Sequence, residues 1–123
     1  MGNSPHRGLK RLAYAARYSY SGLRAAWVNE EAARIEMVVI ALAAPLGFWL
    51  GANAVERILL IGAPLLLLVV ELLNSAVEAA IDRIGQERHQ LSGLAKDLGS
   101  AAVFVCTLLV LLVWGLIGWE RWG

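Results

Sequence analysis

Three long stretches of this chain carry no charge. Met37 to Val55, Ile58 to Val70 and Leu98 to Trp119 contain no Lys, Arg, Asp or Glu. A helix needs about 20 mainly apolar residues to cross the hydrocarbon core of a bilayer. In lipid, every backbone N–H and C=O must be satisfied within the segment, and a helix does this. The 123 residues are 59% hydrophobic, against about 45–50% for a soluble globular domain. The runs therefore predict an all-α integral membrane protein with spans at about 37–55, 58–84 and 98–119.

The remaining segments fit around these spans. Residues 1–8 are rich in Gly, Pro, Asn and Ser and are expected to be disordered. No cleavable signal peptide is expected, because the first thirty residues are basic and lack an apolar core of the required length. Residues at about 9–34 predict an amphipathic helix lying in the membrane interface. Leu9, Leu12, Ala13, Ala16, Tyr20, Leu23 and Trp27 share one face, and Arg7, Lys10, Arg11, Arg17 and Arg24 fall to the other side. Pro45 and Gly47 are expected to bend the first span, and Trp49, Trp114, Trp119 and Trp122 suit the far interface.

Net charge is +1, so bulk electrostatics names no partner. Its distribution fixes an expected orientation. Arg7, Lys10, Arg11, Arg17, Arg24 and Arg34 precede the first span, and Arg83, Arg88 and Lys96 flank the loop after the second. The opposite side has only Arg57 and Arg121. By the excess of Lys and Arg in cytoplasmic loops, the N-terminus and the 85–97 loop are expected in the cytoplasm and the C-terminus outside. Cys106 stands in an apolar run and reads as a small buried hydrophobe.

The second span ends in acid. Glu71, Asn74, Ser75, Glu78 and Asp82 lie within about 60° of Glu71 when projected down a helix. A carboxylate near the bilayer centre costs about 2.5–3.5 kcal/mol on insertion scales, so such a stripe faces other helices or water rather than lipid. Glu78 is expected at the cytoplasmic boundary, and Glu71 about two turns, or about 10 Å, deeper. Glu30, Lys96 and Asp97 belong to the same leaflet. Carboxylates with phosphate oxygens are the usual Mg²⁺ ligands. A lysine is a compact phosphate partner, and a shielded glutamate can act as a general base. No G-x-x-x-x-G-K-[ST], G-x-G-x-x-G or H-R-D/D-F-G pattern occurs. A proton- or ion-translocating oligomer using Glu71 explains that residue, but not Lys96, Asp97 and the surface acids.

The stretch E-L-L-N-S-A-V-E-A-A-I-D at 71–82 closely resembles the signature of the small prokaryotic diacylglycerol kinases. R-I-G at 83–85, H-Q-L-S-G at 89–93, A-K-D-L-G-S-A-A at 95–102 and S-x-x-G-L-R-A-A-W-V-N-E at 19–30 extend the resemblance across most of the chain. It implies one membrane kinase domain over 9–123, a homotrimeric bundle with sites between subunits, and transfer of the γ-phosphoryl group of MgATP to diacylglycerol, giving phosphatidic acid. By position, Glu71 resembles the catalytic base and Asn74 an active-site polar residue. Glu30 and Glu78 resemble the metal-binding pair that holds Mg²⁺ with ATP. Arg11, Tyr18, Glu87, Arg88, His89, Lys96 and Asp97 look like nucleotide contacts, and Glu36, Arg57, Ser100 and Trp114 match positions associated with lipid. The resemblance also places the protein in the bacterial inner membrane. Relatives that phosphorylate undecaprenol share the reaction. The A-A-W block and the tryptophan-rich third span resemble the diacylglycerol type.

Overall fold

The computed structural model describes residues 8–85 and 90–123, which form four helices and, among the described residues, no strand. α1 spans Leu9–Asn29, α2 Glu31–Leu50, α3 Ala54–Ile84 and α4 Gln90–Trp122. The last three are long and apolar enough to cross a membrane. The chain is thus an all-α integral membrane protein. At about 1.5 Å per residue, α3 and α4 reach about 45–50 Å, so both run beyond a hydrocarbon core about 30 Å thick.

The helix bounds differ from the sequence reading at several places: α2 ends at Leu50 rather than about 55, and α3 begins at Ala54 rather than about 58. The expected interfacial helix over about 9–34 is divided at Glu30, whose backbone is extended (φ −127°, ψ 111°). Hydrophobic periodicity does not register a one-residue corner, because helical spacing resumes at once on the other side. Glu30 N–H closes α1 by donating to Ala26 O at 2.9 Å, and Glu30 O opens α2 by accepting from Arg34 N–H at 3.0 Å. The Arg34 guanidinium also donates to Trp27 O at 3.0 Å, satisfying a carbonyl that the end of α1 would leave bare. The third span begins at Gln90 rather than about 98, because polar residues continue the helix outside the apolar stretch. The expectation for residues 1–7 lies outside the described residues.

α3 is the central helix, packed against both α2 and α4. Its contact with α2 uses small residues: Ala33, Ala43 and Gly47 of α2 are buried, and a Cβ on Gly47 would stand 3.0 Å from Leu60 Cβ. Such close approach supplies the van der Waals contact that holds helices together in lipid. The α2–α3 turn is tied by polar groups. Asn53 caps α3 by accepting from Glu56 N–H at 3.0 Å, and Glu56 Oε1 accepts from Ala52 N–H at 2.9 Å, a reciprocal arrangement of the capping-box type. Arg121 of α4 donates to the same oxygen at 2.9 Å, fastening the end of α4 to the start of α3.

One interhelical bond repairs a defect written in the sequence. Pro64 has no N–H, so Leu60 C=O loses its usual partner four residues on. The Trp114 indole donates to that carbonyl from α4 at 3.0 Å. Trp114→Phe keeps an aromatic ring and removes the donor. We expect it to lower stability in detergent by about 0.6–1.7 kcal/mol, the range for interhelical hydrogen bonds in membranes. In a Pro64→Ala background the restored backbone N–H can serve Leu60 C=O, and the loss should shrink. Thermal unfolding of the four proteins in the cycle checks this, and an equal loss in both backgrounds would refute the account.

Candidate functional site: a carboxylate cluster between α1, α2 and α3

The polar stripe of α3 is set by helical geometry and stands where the corner between α1 and α2 meets it. Glu71 is only 7% exposed, the one buried charged side chain among the described residues. The charges of Glu30 and Glu78 both act on it, and Glu71 in turn acts on Glu36 of α2. Four carboxylates from α2, α3 and the Glu30 corner therefore form one electrostatic cluster. Among the described residues, no Lys or Arg forms an ion pair with any of the four. Glu36 Oε1 is buried without a hydrogen-bond partner.

Ser75 joins the corner to the stripe. Its hydroxyl donates to Glu30 Oε1 at 2.8 Å, across 45 residues of sequence. This contact fixes the Glu30 carboxylate beside α3. Ser75 lies on the polar stripe one turn from Glu71, and that position was its only signal in the sequence. Beside the contact, α1 and α3 border a largely apolar groove of ≈ 530 Å³ lined by Leu23, Ala26, Leu72 and Ala76, with Ser19, Glu30 and Ser75 as its polar members.

The other expected residues divide by place. Asn74 is half-buried on the stripe, and its Oδ1 is buried without a hydrogen-bond partner. Lys96 pairs with Asp82 at 3.2 Å where α3 ends and α4 begins. Both side chains are exposed, so solvent screens the pair and its contribution to stability is small. Asp97 and Ser100 are exposed on the same part of α4. Arg11 and Tyr18 are exposed on α1. Glu87, Arg88 and His89 lie outside the described residues.

Arg57 and Trp114 are not brought to the cluster. Arg57 is fourteen residues before Glu71 on α3, about 21 Å along the axis. There it donates from Nε to Phe48 O at 3.0 Å, and its guanidinium lies 4.6 Å from the Phe48 ring centroid. Trp114 joins Leu60 near that same end.

Among the described residues no group of three His, Cys, Asp or Glu side chains is placed to hold a metal ion. The donor set nevertheless suits a hard cation that takes one or two carboxylates and completes its shell with water and phosphate oxygens. Glu30 and Glu78 are two such carboxylates flanking a third, without a cationic partner among the described residues.

A polytopic helical membrane protein with a carboxylate cluster around one buried glutamate is the class that fold and site define. The family model of prokaryotic diacylglycerol kinase matches residues 17–118. The diacylglycerol kinase of Escherichia coli (strain K12) is 48% identical over 116 residues, covering 94% of this chain and 95% of the relative. Those of Haemophilus influenzae and Pseudomonas aeruginosa are 50% and 44% identical, over 88% and 95% of this chain and 92% and 98% of the relatives. The chain belongs to the prokaryotic diacylglycerol kinase family, and with it to the phosphoryl-transferring enzymes.

Proposed function

We propose that this protein transfers the γ-phosphoryl group of ATP to the free hydroxyl of diacylglycerol at the cytoplasmic face of the bacterial inner membrane, forming phosphatidic acid and ADP. The observation that carries this reading is Glu71: a buried carboxylate in a helix long and apolar enough to cross a membrane, flanked by two further carboxylates and lying near a largely apolar groove. Glu71 is the general base. It takes the hydroxyl proton as the acceptor oxygen bonds to the γ-phosphorus and the bond from that phosphorus to the β,γ-bridging oxygen breaks.

Glu30 and Glu78 would hold Mg²⁺ together with the ATP phosphates, whose charge the ion offsets. Ser75 keeps Glu30 in place from α3. Asn74 orients a reacting oxygen on the same stripe. Lys96 exchanges Asp82 for a phosphate oxygen and supplies a compact positive charge, with Asp97, Arg11, Tyr18, Glu87, Arg88 and His89 completing the nucleotide contacts. The groove between α1 and α3 shelters the glycerol end of the lipid, beside Glu36 and Ser100. Arg57 and Trp114 bear on the lipid's acyl chains at the far end of the bundle. The N-terminus is cytoplasmic and the C-terminus periplasmic, in keeping with the basic residues at the Glu30 end.

The assembly is a homotrimer of single-domain subunits with sites completed between them. Its support is the family resemblance, and the exposure of Arg11 and Tyr18 on α1 leaves them accessible to a neighbouring subunit.

Purified protein in mixed micelles with MgATP and diacylglycerol tests the reading. Phosphatidic acid formed in step with ADP is the expected result. Faster turnover with undecaprenol would change the acceptor. ATP consumption that does not depend on lipid, or none at all, would favour a proton- or ion-translocating oligomer.

A further inference from the structure

We infer that Gly99 is a positioning residue for phosphoryl transfer: its missing side chain leaves the place on α4 where the Asn74 amide lodges. The inference rests on the proposed function, because it assigns Gly99 a part in that same site.

Asn74 stands three residues after Glu71 and four before Glu78, so its side chain lies between the two carboxylates on one helical face. Its Oδ1 is buried and has no hydrogen-bond partner. A Cβ built on Gly99 would collide with that oxygen, and would stand 3.0 Å from Asn74 Cγ and 3.8 Å from Asn74 Cβ. All three nearest atoms belong to one residue. The other glycines within α4 differ: Gly93, Gly115 and Gly118 have nothing within 4 Å of an added Cβ. Gly99 is therefore the point where α4 gives way to a side chain of α3.

The chemistry of the contact suits an oxygen. A glycine Cα–H is a weak donor to a carbonyl oxygen, and it offers nothing to an N–H. With Oδ1 turned to Gly99, the two amide N–H bonds remain as donors for a carboxylate or phosphate oxygen on the stripe. An alanine at 99 takes the space of Oδ1, and the amide must shift away from it. A displacement of about 1 Å in a group that orients reactants can cost about 10²-fold in rate.

The test is a double-mutant cycle with two readouts. Gly99→Ala is expected to lower kcat by about 10–100-fold with the KM for MgATP changed less than about threefold. Gly115→Ala, an equally helical glycine with open space, should leave both near the parent values. In an Asn74→Ala background, Gly99→Ala should cost no more than about twofold, because the amide it displaces is already gone. Near-parental kcat for Gly99→Ala, or the same loss with and without Asn74, would overturn the inference.

Thermal unfolding in detergent supplies the second cycle and needs no activity. The lowering of Tm by Gly99→Ala should largely vanish in the Asn74→Ala background. If Gly99→Ala fails to fold alone, recovery of a folded protein in that background is the expected result, and failure there too would overturn the contact. Absence of phosphatidic acid from the parent protein would instead refute the proposed function and leave the thermal cycle readable.

Discussion

Glu71→Gln is expected to abolish diacylglycerol phosphorylation while ATP binding persists. Glutamine keeps the length and the hydrogen-bonding reach of the side chain but cannot accept a proton from a hydroxyl. General-base catalysis contributes about 10²–10⁴-fold, so loss on that scale in kcat is the expected outcome. The same substitution removes one negative charge from a cluster in which Glu30, Glu36 and Glu78 all lie near Glu71. It also removes a buried carboxylate whose insertion costs about 2.5–3.5 kcal/mol. Stability in detergent should therefore hold or rise as activity disappears. That opposite movement is the signature of a group retained for chemistry against its cost to the fold. A variant with near-normal turnover would remove Glu71 as the base. A variant that loses activity only because it unfolds would make Glu71 a structural residue.

Glu78→Gln should act on a different quantity. It lies two turns from Glu71, about 10 Å toward the end of α3, and is half-buried rather than buried. Losing one of two carboxylates on a divalent cation is expected to weaken Mg²⁺-dependent nucleotide binding by about 10–100-fold, equivalent to about 1.4–2.8 kcal/mol. Titrating Mg²⁺ at fixed ATP, with nucleotide binding and turnover both measured, separates this from a loss of base function. The expected variant recovers part of its rate at high Mg²⁺, whereas Glu71→Gln does not. An unchanged Mg²⁺ dependence would show that Glu78 holds no metal.

Much of the fold was legible because lipid leaves a chain few options. Three charge-free stretches required three helices, and the structure has them as α2, α3 and α4. The boundary at Glu30 was not legible, because a single extended residue between two helical patterns leaves no mark in hydrophobic periodicity. The start of α4 at Gln90 was missed for the opposite reason: polar residues continue the helix once it has left the apolar layer. Within the candidate site, the alignment of Glu71, Asn74, Ser75 and Glu78 followed from helical spacing alone. The separation of Arg57 and Trp114 from the cluster was also legible, because both belong to the far interface, whereas the pairing of Lys96 with Asp82 was not.

The sequence by itself determined what one helix can determine. Relations at three and four residues are properties of the α-helix, so membrane class, span number and the acidic face needed no tertiary information. Tertiary structure decided every relation between helices. It brought Ser75 to Glu30 across 45 residues, gave the carbonyl that Pro64 strands to Trp114, and set the Asn74 amide against Gly99. These contacts depend on how closely two helices approach and at what rotation. Packing of side chains against one another fixes both, and no spacing along one segment encodes them.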